Sequence, residues 1–143
     1  MNPEVPRGRR LEEVRKRHHP RCFVGRSRAA AGLGVRFSPG EDGTVQQTVI
    51  GPRSWEGYPG LVHGGIIASL LDGAMTNSLF ASGIAAVTAE LKIRYHGPLA
   101  VERPMEIVGE LVGSRPPLFL VEGRISQDGE IRARSSGKFM AGP

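Results

Sequence analysis

Residues 63–81 read HGGIIASLLDGAMTNSLFA. The spacing predicts a helix over residues 66–81, with Ile66, Ile67, Leu70, Leu71, Met75, Leu79 and Phe80 spread around most of its circumference rather than along one stripe. A helix that is apolar all round has to be covered by other layers on more than one side. Its length, roughly 24 Å for about 16 residues, falls short of the ~20 apolar residues that span a bilayer.

The flanking segments supply the layers. Upstream, residues 33–37 and 44–50 predict two strands joined by a turn rich in Pro and Gly, a hairpin, and residues 51–60 (GPRSWEGYPG) are loop by composition. Downstream the period changes to two: Val87, Ala89, Leu91, Ile93 and Tyr95 alternate with Thr88, Glu90, Lys92, Arg94 and His96. Strands over 105–112, 118–125 and 131–140 follow, the last two joined by an Asp128-Gly129 turn, and these three can pair as antiparallel neighbours. The pattern is α+β: a curved antiparallel six-stranded sheet wrapped around one central buried helix. One sheet covers one side of that helix, so a second copy of the chain is the simplest source of the missing cover, and a peripheral helix from the N-terminus is another.

The chain has 143 residues, a formal net charge of +5 and a single cysteine, Cys22. That length fits one compact domain. One cysteine makes neither an internal disulfide nor a Cys-based zinc site, and no metal or other cofactor is implied. The start, MNPEVPRGRRLEEVRKRHH, has charges where a signal peptide carries its apolar stretch, so a cytoplasmic protein without membrane insertion is expected. The charge is uneven. Residues 1–30 hold nine Lys/Arg against three acids, and the rest of the chain is close to neutral. The division expected is therefore a basic arm over 1–30, partly helical (about residues 11–17) or mobile, and a folded domain over 31–143. With Phe23 as its only aromatic residue, the arm is a poor base-stacking surface, and a nucleic-acid partner is the least supported reading.

Within the helix Asp72 is the single ionisable residue. A carboxylate that is desolvated and unpaired there becomes a useful base near neutral pH; one that faces solvent or bonds His63 or Thr76 does not. At the helix start, Gly64 and Gly65 leave backbone N–H groups uncovered at the positive end of the helix dipole, where an oxygen gaining negative charge can dock. They also serve a tight entry into the helix. Gly64 and Asp72 are eight residues apart, about 12 Å along a helix axis. Both groups would have to come within roughly 3 Å of one reacting carbonyl, which one helix cannot arrange. The amide of one subunit and the carboxylate of another, related by a two-fold axis, can meet.

The stretch HGGIIASLLDGAM resembles the HGGxxxxLxDxA signature of hotdog-fold acyl-CoA thioesterases of the phenylacetic-acid-degradation (PaaI-like) type, and VTAELKIRYHGPL is similar to the strand that follows it there. The resemblance runs from about residue 33 to 140. It implies the hotdog fold, a homodimer with a dimer of dimers left open, and hydrolysis of an acyl-CoA substrate. On this resemblance Asp72 is the catalytic general base or nucleophile, and the Gly64 amide polarises the thioester carbonyl. His63 orients the loop, touches the thioester region or is structural. Gly65, Thr76 and Thr88 fall at positions that help to hold water or substrate.

One position departs from the pattern: many relatives carry Asn or Gln six residues before the His, and here that residue is Gly57. Ile66, Ile67, Leu70 and Met75 are candidates for an acyl tunnel or plain core. Lys92, Arg94, Arg132 and Arg134 are candidates for the phosphates of CoA. Residues 18–25 (HHPRCFVG) are similar to an N-terminal segment of some relatives that has a second cysteine, and Cys22 is assigned no chemistry. The alternatives to hydrolysis are a non-catalytic acyl-CoA-binding hotdog dimer and, behind it, a hotdog dehydratase or hydratase.

Overall fold

The structure, a computed structural model, describes residues 6–40 and 42–141. Its elements run α1 (Arg7–His18), β1 (Ser38–Pro39), β2 (Val45–Ile50), α2 (Gly64–Phe80), β3 (Ala86–Tyr95), β4 (Pro104–Arg115), β5 (Leu118–Gln127) and β6 (Glu130–Ala141). The six strands form one antiparallel sheet in the order β1-β2-β4-β5-β6-β3, and α2 lies on its inner face.

Why α2 sits so close to the sheet is written in glycines. Gly109, Gly123 and Gly137 face inward from β4, β5 and β6, and the first two are cross-strand partners. A Cβ at Gly109 would stand 2.3 Å from the Ala74 carbonyl oxygen; at Gly123 it would meet Leu71 at 3.2 Å, and at Gly137 the Met75 sulfur at 3.3 Å. The three absent side chains make a trough for the helix, in which Leu70, Leu71, Ala74, Met75 and Leu79 have no exposed surface.

The opposite side of α2 is covered in part by the chain's own N-terminus. Leu11 of α1 is 1% exposed and belongs to the same core as Leu70 and Leu71, with Val14 packed against it. The turn after α1 also reaches the helix. Val24 fills the space over Gly73, where a Cβ would lie 2.8 Å from its Cγ1, and the His19 ring stands edge-on to Phe80 at 5.0 Å between centroids.

Two expectations change. Residues 33–37 are not a strand of the sheet. Leu33, Val35 and Phe37 do alternate inward, but their backbone bonds go to the turn after α1: Leu33 N–H to Phe23 C=O, Gly34 N–H to Arg26 C=O and Val35 N–H to Val24 C=O. Alternation reports which side faces the core and not which segment supplies the ladder. The hairpin survives only as the short β1, pairing Ser38 with Gln46 and Pro39 with Val45.

The second change is in β3. A bulge between Thr88 and Glu90 breaks its period. Thr88 pairs with Phe139, which faces the helix, whereas Glu90 pairs with Lys138 on the outer face. Strict alternation puts Thr88 on the outer face with Glu90 and Lys92; the extra residue turns it inward, and Val87 outward, as bulges do. β4, β5 and β6 also extend past their expected ends, so the 113–117 linker shrinks to a tight turn at Pro116-Pro117.

β3 is an edge strand, and most of its residues are exposed, among them Val87, Leu91 and Tyr95 at 52%, 37% and 51%. Such an edge presents unpaired backbone groups to any chain that can pair with it.

The contact between Val24 and Gly73 is testable by a double-mutant cycle. Ala for Gly inside a helix normally gains about 1 kcal/mol. Gly73→Ala alone should gain nothing or lose stability, and the gain should emerge only with Val24→Ala, a coupling of about 1 kcal/mol in thermal or urea unfolding.

Candidate active site

The entry to α2 is held by a chain of hydrogen bonds that starts at one side chain and continues through the backbone. Buried Gln127 takes the Ala100 N–H at 2.7 Å and returns a bond to the Ala100 carbonyl at 3.0 Å. The neighbouring Leu99 carbonyl accepts the Val62 N–H at 2.8 Å, and the carbonyl of buried Trp55 accepts the His63 N–H at 2.8 Å. His63 is thereby placed as the N-cap of α2, where its Nδ1 accepts the Gly65 N–H at 2.8 Å. In the neutral ring the proton then sits on Nε2.

This cap decides which amide is free. A helix start leaves several N–H groups without intrahelical partners. Here Gly65 is bound to His63 Nδ1, and Ile66 and Ile67 reach the His63 carbonyl at 3.0 and 3.1 Å. Among the described residues the Gly64 N–H alone in this turn takes no partner. The Gly64 carbonyl accepts the Tyr95 hydroxyl at 2.8 Å, pinning the end of β3 to the start of α2. Gly65, expected to offer an amide, has it engaged by His63.

Gly64 opens onto a cavity of about 620 Å³, lined among others by Gly57, Tyr58, His63, Ile67 and Tyr95. Gly57 packs directly against His63, since a Cβ there would lie 3.2 Å from the His63 Cα. The departure from the family pattern thus falls on the cleft itself. Of the four candidate tunnel residues, Ile67 lines the cleft and Ile66 is half-buried, whereas Leu70 and Met75 are core.

Asp72 is elsewhere. It is half-buried, and its Oδ1 accepts the Thr88 hydroxyl at 2.7 Å, a bond that the bulge in β3 makes possible. It is therefore neither deeply buried nor unpaired within one chain. Gly64 and Asp72 are both helical, so the separation of about 12 Å along the axis holds. The structure brings together His63, Gly64 and Gly65 at one place and Asp72 with Thr88 at another. Thr76, one turn beyond Asp72, is buried and does not line the cleft.

A neighbour of Asp72 was not marked by the sequence reading. The side chain of His19 interacts with that of Cys22, which raises the imidazole pKa above its ordinary value; burial opposes this, and the charges of Cys22 and then of Asp72 add to it. The Cys22 thiol is correspondingly pushed down, chiefly by the His19 side chain, against desolvation and with help from the Val24 and Gly25 amides. The His-x-x-Cys spacing is the only trace of this pair in the sequence, and it carries meaning only once the turn folds back on α2.

Among the described residues no group of three His, Cys, Asp or Glu could hold a metal ion, and no described helix is long and apolar enough to cross a membrane.

The sequence model of the thioesterase superfamily matches residues 59–133, which include the helix entry, Asp72 and Thr88. A solved thioesterase superfamily protein is 32% identical, with a TM-score of 0.70 over 73% of this chain and 52% of that one; the chain spans about half of that relative's length. Two further solved proteins share the fold. A hypothetical thioesterase from Streptococcus pneumoniae TIGR4 is 21% identical, with a TM-score of 0.69, covering 74% of this chain and 86% of that one. The PaaI protein of the E. coli phenylacetic acid degradation operon is 19% identical, with a TM-score of 0.71, covering 79% and 87%. No curated protein sequence matches.

Two measurements check this geometry. His63→Ala should cost about 1 kcal/mol through loss of the cap, and His63→Asn, a good N-cap residue, should recover most of it in thermal unfolding. Because the thiolate is the reactive form, alkylation of Cys22 should reach half its limiting rate at a pH below that of an ordinary cysteine, and His19→Ala should move that midpoint upward.

Proposed function

Because the chain belongs to the thioesterase superfamily, we propose that it hydrolyses an acyl-CoA thioester to the free acid and CoA, at a site shared between two copies of the chain. The observation that carries this reading is the division of labour along α2: one unpartnered amide at Gly64 beside an apolar cleft, and one carboxylate, Asp72, oriented by Thr88 two turns away. A second copy antiparallel to the first brings the Asp72 of one against the Gly64 of the other. The exposed apolar edge of β3, which carries Thr88, is the surface such a copy would cover.

The ligand class is supported by a relative: the pneumococcal protein was solved with coenzyme A. It was also solved as variants in which an aspartate and a threonine 16 positions later were each replaced by alanine. Asp72 and Thr88 have the same separation.

The chemistry needs only groups this chain supplies. Asp72, held by Thr88, takes a proton from water, and the oxygen of that water attacks the thioester carbonyl carbon. The negative charge that develops on the carbonyl oxygen is received by the Gly64 N–H of the second copy, at the positive end of a helix. The carbon–sulfur bond breaks, the acid is released, and the thiolate of CoA takes up the proton held by Asp72. In the variant of this route with Asp72 as nucleophile, water instead hydrolyses an acyl anhydride on the same carboxylate. His63 fixes which amide is free, and Thr76 belongs to the core beneath the carboxylate.

One observation favours the second reading, a dimer that binds acyl-CoA without hydrolysing it: position 57 contributes no polar side chain to the cleft beside His63. The experiment that separates the two is thiol release from a panel of acyl-CoAs. Wild type should release CoA from at least one, and Asp72→Asn should lower kcat by 10²-fold or more while leaving the folded dimer unchanged. Binding without release from any member of the panel would leave the binding module as the function. A lone protomer in sedimentation would overturn the shared site.

A further inference from the structure

Four arginines gather where the sheet ends beside the cleft. The strand register sets Arg94 of β3 opposite Arg134 of β6, and Arg134 opposite Arg124 of β5. Their neighbours Ala133 and Ile125 are fully buried, so these three side chains form one row on the face turned away from α2. Like charges directly opposite across a sheet repel. Among the described residues no carboxylate lies within ion-pair distance of any of the three.

Arg132 joins this row to the cleft. Its carbonyl accepts the His96 and Gly97 N–H groups at 2.8 and 3.1 Å, and both of those residues line the cavity. Its guanidinium lies over Gly97, where a Cβ would come within 3.3 Å of Nη1. Its Nε is buried without a hydrogen-bond partner, and its one ion pair, with Glu130, is long at 3.6 Å. A buried N–H left unsatisfied is costly, so the chain itself does not fully engage this guanidinium.

We infer that Arg132 at the lip of the cleft and the Arg94–Arg134–Arg124 row form a strip that takes the phosphates of the thioester's carrier, the nucleotide end of CoA. This rests on the acyl-CoA reading. The forked guanidinium matches phosphate oxygens two at a time, and a row of forks on a rigid sheet suits a ligand with several phosphate groups. The strip selects the carrier, while the cleft selects the acyl group. Free nucleotides and inorganic phosphate present the same chemistry, and the test has to tell them from CoA.

Equilibrium binding to the full chain, which needs no turnover, should rank CoA above 3′-dephospho-CoA, and both above pantetheine, ADP and inorganic phosphate. In Arg132→Gln and in the double variant Arg94→Gln/Arg134→Gln, CoA affinity should fall about tenfold, the loss of one charged hydrogen-bonding contact. Arg134→Lys should fall less than Arg134→Gln. In turnover, kcat/KM for acyl-CoA should fall by the same factor relative to acyl-pantetheine. Equal binding of CoA and pantetheine by wild type, or equal weakening of both in the variants, would overturn the strip; so would ADP or phosphate binding as tightly as CoA. Arginine-dependent CoA binding without thiol release would leave the strip standing and remove the hydrolytic reading alone.

Discussion

A helix without a polar face cannot be left in water, and α2 imposes that demand on every other part of the chain. The sheet meets it on one side by giving up three side chains, at Gly109, Gly123 and Gly137, so that the helix backbone lies almost against the strands. The N-terminal segment meets it on another, through Leu11, Val24 and the ring of His19. What stays open is the β3 edge, and the one carboxylate of α2 is paired with a residue of that edge. Burial and chemistry are therefore arranged by the same constraint: the side on which the helix lacks cover is the side on which it keeps a charge.

Both features on which the proposed site rests arise from small departures from regular structure. At the helix start, the imidazole of His63 takes one glycine amide and by doing so singles out the other. In β3, a bulge of one residue moves Thr88 from the outer face to the inner and into bonding distance of Asp72. Bulges recur where a strand has to re-aim one side chain. The ordinary cost of an irregular ladder buys the orientation of a carboxylate.

Much of this was legible in the sequence. The all-round apolar character of residues 66–81 and the switch to period two after Val87 are local patterns, and they foretell the helix, the strands β4 to β6 and the need for cover. The eight-residue spacing of Gly64 and Asp72 is likewise a local fact, and the separation it implies holds. The misses share a cause. The extended segment 33–37 faces inward as read, but its partners at 23–26 are revealed only by the path of the turn after α1. The bulge exists only relative to β6, so alternation placed Thr88 on the wrong face. Tyr95, read as one more apolar position, uses its hydroxyl to tie two elements together, and the His19–Cys22 pair needs the arm folded onto α2 before it means anything.

The trough under α2 has an evolutionary corollary. A cleft wall made of side chains can be resculpted by substitution, one methyl group at a time, with the helix left where it is. A helix seat made of missing side chains offers no such gradual route, because the smallest addition at Gly109 meets a peptide oxygen and pushes on the helix that carries the Gly64 amide. On the proposed function, drift in substrate preference should thus be written in the walls around Tyr58 and Ile67, while the bare strip of backbone under α2 stays frozen across descendants.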